Sequence, residues 1–96
     1  MGTAAVLFVD GIKISGKMSV MAAVNREKNP PVLSVTGLVE TPVRLPDRFG
    51  KLEGGRVAVY DVIINSENVG SEDDNIVYEF SAKSYNIFDI KDKKKG

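Results

Sequence analysis

The sequence predicts an all-β protein: a small antiparallel barrel of five to six strands, with the strand order open to permutation. Between Val32 and Phe88, the residues Val, Thr, Ile, Tyr and Phe crowd three apolar segments. Gly, Pro, Asp and Asn crowd the gaps, which is the punctuation of strands rather than helices. Asp10-Gly11 separates two apolar runs, a strong hairpin signal because a type I′ turn needs positive φ at both central residues. No stretch of helical length carries a convincing apolar stripe at helical spacing.

The elements follow in order. Thr3 to Val9 and Ile12 to Ser15 form the hairpin about Asp10-Gly11, and Ser15-Gly16-Lys17 is a bulge or second turn. Met18 to Val24 reads as a strand, although its apolar positions also fit one or two helical turns. Asn25 to Pro31 is a polar loop closed by two prolines, which remove donors and hold the preceding residue extended. In the strand from Val32, the residues Leu33, Val35 and Val39 share a parity with Gly37, and a mid-strand glycine suggests a bulge or sharp bend. Leu45 to Gly55 reads as a long exposed connection. Arg56 to Asn65 is apolar on both parities apart from Asp61, so it belongs at the centre of the sheet. Asn65 to Asn75, with its acidic residues, reads as a mobile loop. Ile76 to Lys83 alternates, with Ile76, Tyr78, Phe80 and Ala82 inward, and Ser84 to Ile90 extends or bends that strand.

Ninety-six residues make one domain, taken as residues 1–90, with a lysine-rich tail over 91–96 expected to be disordered. Lys plus Arg number 13 and Asp plus Glu number 13, so the chain does not announce a polyanionic partner by net charge. It has no Cys and no His, which removes the commonest nucleophile, general base and zinc ligands together; no enzyme, catalytic residue, cofactor or small-molecule substrate is expected. No apolar run approaches the roughly 18 residues of a membrane helix, and Ala4 to Val9 lacks the flanks of a signal peptide. The expectation is a cytoplasmic protein with no membrane partner.

The segment Val35-Thr36-Gly37-Leu38-Val39-Glu40-Thr41-Pro42-Val43-Arg44 resembles the opening strand of OB-fold single-stranded DNA-binding proteins, especially the primosomal replication protein N type. The resemblance continues through the Gly54-Gly55 turn, an apolar second strand from Val57 to Ile64, a polar loop from Asn65 to Asn75 and an aromatic third strand from Tyr78 to Phe88. It spans residues 32–88. It departs from the family in that the residues left after Phe88 are nearly all charged, so Thr3 to Val24 or a partner chain would supply the closing strands. The resemblance implies a nonenzymatic replication or recombination accessory.

Such a protein stacks bases on exposed aromatics while basic side chains follow the phosphates. Phe49, Tyr60, Tyr85 and Phe88 are the stacking candidates, Phe49 foremost because it sits between Arg48 and Lys51 in a polar stretch. Arg44, Arg48, Lys51, Arg56 and Lys83 are the charges, joined by the tail lysines. Core burial competes for every aromatic, above all Tyr78 and Phe80. Gly54-Gly55 beside Lys51 and Arg56 lacks the phosphate-loop pattern and reads as a turn, and Glu72-Asp73-Asp74 lacks calcium-loop spacing and reads as a solvated run. Asp61, if buried, needs a cation such as Arg44, Arg56 or Lys83. The alternative function is an assembly module of viral or mobile-element origin that oligomerises through strand edges, and a homodimer or larger homo-oligomer is expected in either case.

Overall fold

The computed structural model describes residues 6–69 and 74–88, and these hold strands and turns but no helix. None of them forms a helix long and apolar enough to cross a membrane. The strands are β1 (Val6–Val9), β2 (Ile12–Ser15), β3 (Lys17–Asn25), β4 (Val32–Thr41), β5 (Arg48–Gly54), β6 (Val57–Val69), β7 (Ile76–Ala82) and β8 (Ser84–Ile87). They form one antiparallel sheet in the order β2-β1-β5-β6-β7-β4-β3, with β8 beside β6. The fold is all-β as expected, but it has eight strands rather than five or six and the sheet is not closed into a barrel. The lysine tail and the acids Glu72 and Asp73 lie outside the described residues.

Asp10 and Gly11 have φ of 49° and 85°, as a type I′ turn demands, and Val9 pairs with Ile12 and Val6 with Ser15. β2 and β3 stand at opposite ends of the strand order, yet only Gly16 separates them in the chain. The sheet is therefore wrapped until its two ends meet along one run of backbone. A Cβ on Gly16 would lie 2.5 Å from the Glu40 carbonyl, so only glycine lets the chain pass so close to β4. The fully buried Thr41 fastens the same seam, donating its hydroxyl to the Ser15 carbonyl at 2.7 Å and accepting from the Val43 amide at 3.2 Å.

β6 takes the central place its apolar composition required: Val57, Ala58 and Val59 are all buried. One edge pairs with β5 and the other with β7 and β8 in succession. Ile63 faces Ser81 and Tyr60 faces Ser84, so β8 continues β7 in the same register; of the extension expected from Ser84 to Ile90, Asp89 and Ile90 lie outside the described residues. The core gathers Leu7, Met18, Val35, Val39, Leu52, Val59, Val62, Tyr78 and Phe80, and the inward reading of Ile76, Tyr78 and Phe80 holds.

Three readings need correction. Gly37 is neither a bulge nor a break in pairing, since β4 pairs in unbroken register with β3 and β7 on either side of it. Its bare backbone instead receives the Phe80 ring, which a Cβ would meet at 2.6 Å, while also meeting the Ser19 carbonyl. The bulge lies in β6, between Ile64 and Ser66. The supposed mobile loop from Asn65 is strand as far as Val69, and the supposed connection Leu45 to Gly55 contains β5. The three apolar segments between Val32 and Phe88 thus correspond to five strands among the described residues.

Gly37→Ala should destabilise the domain by about 1–3 kcal/mol, because neither the β3 backbone nor the buried ring can give way freely; chemical denaturation would measure it. Thr41→Val keeps the shape but removes the hydroxyl that bonds the part-buried Ser15 carbonyl, so a loss of about 1 kcal/mol is expected in the same assay.

Candidate nucleic-acid interface

A crease crosses the middle of the sheet and decides which side chains share a face. In β5 the buried residues Phe49 and Leu52 are three apart, and in β6 so are Val59 and Val62. Ordinary pleating would bury residues two or four apart. Yet the register is unchanged: Phe49 pairs with Val62 and Leu52 with Val59. Both strands therefore turn over together at Gly50 and Asp61, the one rung between them that carries no ladder pair. Asp61 turns its strand by adopting φ of 57°, a left-handed conformation that Asp tolerates better than most residues. On the same line the β7–β8 strand breaks at Lys83, whose amide donates to the Tyr60 carbonyl at 2.9 Å.

The crease is pinned from the β1–β2 turn. The Asp10 carboxylate accepts from the Gly50 and Lys51 amides at 3.1 and 2.9 Å, and its own amide donates to the Lys51 carbonyl at 2.9 Å. Asp10 thus serves the type I′ turn and the crease at once. Asp61 is exposed, so the buried-charge problem foreseen for it does not arise. Along the crease runs a groove of ≈ 290 Å³ bordered by Arg48, Gly50, Asp61, Ile63 and Lys83.

Directly paired residues share a face, so the register locates the expected site residues. Lys51, Tyr60 and Ser84 form one rung on the outer face, opposite to that of the core residues Leu52 and Val59. Because the strands turn over at the crease, Arg48, paired with Ile63, stands on the same outer face beyond it. Arg48, Lys51, Tyr60 and Lys83 are brought together; the other four are not.

Phe49 is a core residue, 8% exposed, and the reading of it as a stacking ring in an exposed loop is overturned. The Tyr85 ring is partly exposed, but Tyr85 pairs with buried Val59, so it points to the inner side, away from Tyr60. Arg56 sits in the turn between β5 and β6 at the far end, where its carbonyl accepts from the half-buried Phe88. Arg44 lies on the loop between β4 and β5, whose Leu45 amide donates to the buried Tyr78 hydroxyl at 2.9 Å. Its guanidinium bonds the Glu67 carboxylate at 2.7 Å, and that hydrogen bond together with the charge of Glu67 raises the Arg44 pKa above its ordinary value. Glu67 pairs with inward Tyr78, so this ion pair belongs to the opposite face.

Two residues that sequence reasoning missed join the outer face. Phe8, 37% exposed, pairs with Lys13 on one side and Glu53 on the other. The signal was available: a two-residue turn at Asp10-Gly11 fixes Phe8 opposite Lys13, and inward Leu7 and Val9 leave Phe8 outward. The patch thus combines Phe8 and Tyr60 with Lys13, Arg48, Lys51 and Lys83. It also holds acids, for Glu53 lies 3.4 Å from the Lys51 ammonium. A larger hollow of ≈ 520 Å³ lies over Gly37, but its border of Ser19, Met21, Thr36, Leu38 and Glu79 includes no cation to meet a phosphate.

No family model, curated protein or solved structure matches this chain.

Asp61 is the test of the crease. Asp61→Gly should leave stability within a few tenths of a kcal/mol or raise it, whereas Asp61→Val should cost about 1–2 kcal/mol, because a β-branched side chain resists the left-handed region. Thermal melts of the two variants against the parent chain would separate these outcomes.

Proposed function

We propose that this protein is a nonenzymatic single-stranded nucleic-acid-binding module, of the kind that the OB-fold resemblance of residues 32–88 implies. The observation that supports it is the grouping of Arg48, Lys51, Tyr60 and Lys83 on the outer face beside the crease, whose groove Arg48 and Lys83 border, with Phe8 and Lys13 next to them. An aromatic ring lying flat on a sheet can stack any base, at about 1–3 kcal/mol per base. The cations around it neutralise phosphates and release counterions. Zero net charge and the neighbouring Glu53 and Asp61 keep the number of phosphate contacts small, so the expected affinity is modest and strongly salt-dependent. The ligand is single-stranded because paired bases offer no free face to a ring. The β3–β4 hairpin favours a second, compatible reading, a module that assembles through a strand edge.

Fluorescence anisotropy with labelled oligo-dT, as a single strand and as a duplex, tests the binding. Phe8→Ala and Tyr60→Ala should weaken single-strand binding without changing its salt slope, since stacking releases no ions. Arg48→Ala and Lys83→Ala should each lower the slope of log affinity against log salt by about 0.7. Tyr85→Ala, on the other side of the sheet, should leave both quantities unchanged. Duplex binding as tight as single-strand binding, or no binding at low salt and micromolar protein, would refute the reading.

A further inference from the structure

The β3–β4 hairpin runs out beyond the sheet that supports it. Its rungs extend from Lys17 opposite Glu40 to Asn25 opposite Val32, but β7 accompanies β4 only from Val35 to Thr41. Ala23, Val24 and Asn25 with Val32, Leu33 and Ser34 therefore form a ribbon that, among the described residues, is two-stranded and unaccompanied by β7, and all six residues are exposed. Such a ribbon is marginal in water on its own. Most of its residues are nonetheless apolar: Val24 is 49% exposed, Val32 46% and Leu33 40%; Met21, on a β7-backed rung nearer the base, is 68% exposed, and Ile87 at 58% lies across the hollow that β3 makes with β8.

Its outer edge is equally bare. Among the described residues β3 pairs with β4 alone, and from Met18 to Val24 it contains no charge, no proline and no bulge. Those are the devices by which natural edges avoid pairing. The opposite end of the sheet does not share this property, since β2 is only four residues long and carries Lys13 outward.

We infer that this edge binds a second copy of the same chain, β3 against β3 in antiparallel register about a two-fold axis at Met21. The ends of the strand favour an identical partner. In that register Lys17 faces Asn25 of the second copy, at the start of the turn that carries Glu27. Glu27 of that turn then comes beside Lys17, and by symmetry the same contact forms at both ends of the interface. The uncharged centre is left to backbone hydrogen bonds and apolar contacts. With zero net charge, the two chains do not repel each other at long range. The pairing would give the ribbon the third strand it lacks. It uses no residue of the outer-face patch and does not depend on nucleic-acid binding.

Sedimentation equilibrium of the full chain, from micromolar to submillimolar protein, should show a species of twice the 10.4 kDa of one chain. Met21→Lys places two ammonium groups together on the axis and should abolish that species while leaving the circular dichroism spectrum that of the folded chain and the melting temperature equal to that of the parent at dilutions where it is monomeric, since the side chain is exposed. The chain has no cysteine, so Met21→Cys gives a single thiol. On the axis its Cα lies about 4.5–5.5 Å from its mate, within disulfide reach, and mild oxidation should cross-link the dimer in high yield. Val69→Cys, exposed at the far end of β6, should not cross-link. A monomer at every concentration would overturn the inference. So would a dimer that survives Met21→Lys and fails to cross-link through Met21→Cys, because that dimer would use another surface.

Discussion

Gly16 carries the constraint on which the rest of this structure depends. A sheet whose first and last strands are consecutive in the chain must bring its ends together within the reach of one residue, and that residue must pass against the backbone of β4. Every other strand is fitted between those ends. The hydroxyl of Thr41 holds the seam from the β4 side, and the buried Leu7 and Met18 fill the space behind it. The result is a sheet curved enough to bury a core on its inner side without a second layer and without closing the hydrogen-bond ladder.

The crease at Gly50, Asp61 and Lys83 is the second device of curvature, and it has a chemical by-product. Turning two paired strands over at the same rung keeps the core continuous on both sides of the line, since Phe49 with Val62 and Leu52 with Val59 all face inward. It also brings residues three apart onto the same outer face. Arg48 and Lys51 thereby stand together, as do Tyr60 and Ile63. The patch offered here as a nucleic-acid interface is a consequence of how the sheet bends.

Where the alternation of side chains is regular, the fold was legible. The Asp10-Gly11 turn, the inward face of β7 and the central position of β6 follow from residue type and parity. β5 was hidden because its pattern is broken by the crease: Phe49 and Leu52 are out of phase, Gly50 lies between them, and charged residues flank both. A strand that turns over looks like a loop to any argument from period two. The same misreading put Phe49 in solvent and made it the foremost stacking ring. Gly37 misled in another way, since a glycine that accommodates a neighbouring ring has the same appearance in sequence as one that bends a strand. Asp61, a polar residue in an apolar run, suggested a buried charge where the chain required a left-handed φ. Of the site, Arg48, Lys51, Tyr60 and Lys83 were found for their chemistry, but their common face depends on the crease in the β5–β6 pair and, for Lys83, on pairing with a later segment of the chain.

The unequal support of the β3–β4 hairpin also divides the molecule energetically. Rungs near Lys17 and Glu40 are tied to the core through Met18 and Val39, so the amides that bond across them exchange through opening of the sheet itself. Rungs beyond Val35 lack that support, so they can separate and re-form while the rest of the protein stays folded. Hydrogen exchange along this one hairpin therefore passes from global opening at its base to local fraying at its tip. The chain combines a rigid body with a soft extension, and the soft part is the one whose ordering a bound strand would change.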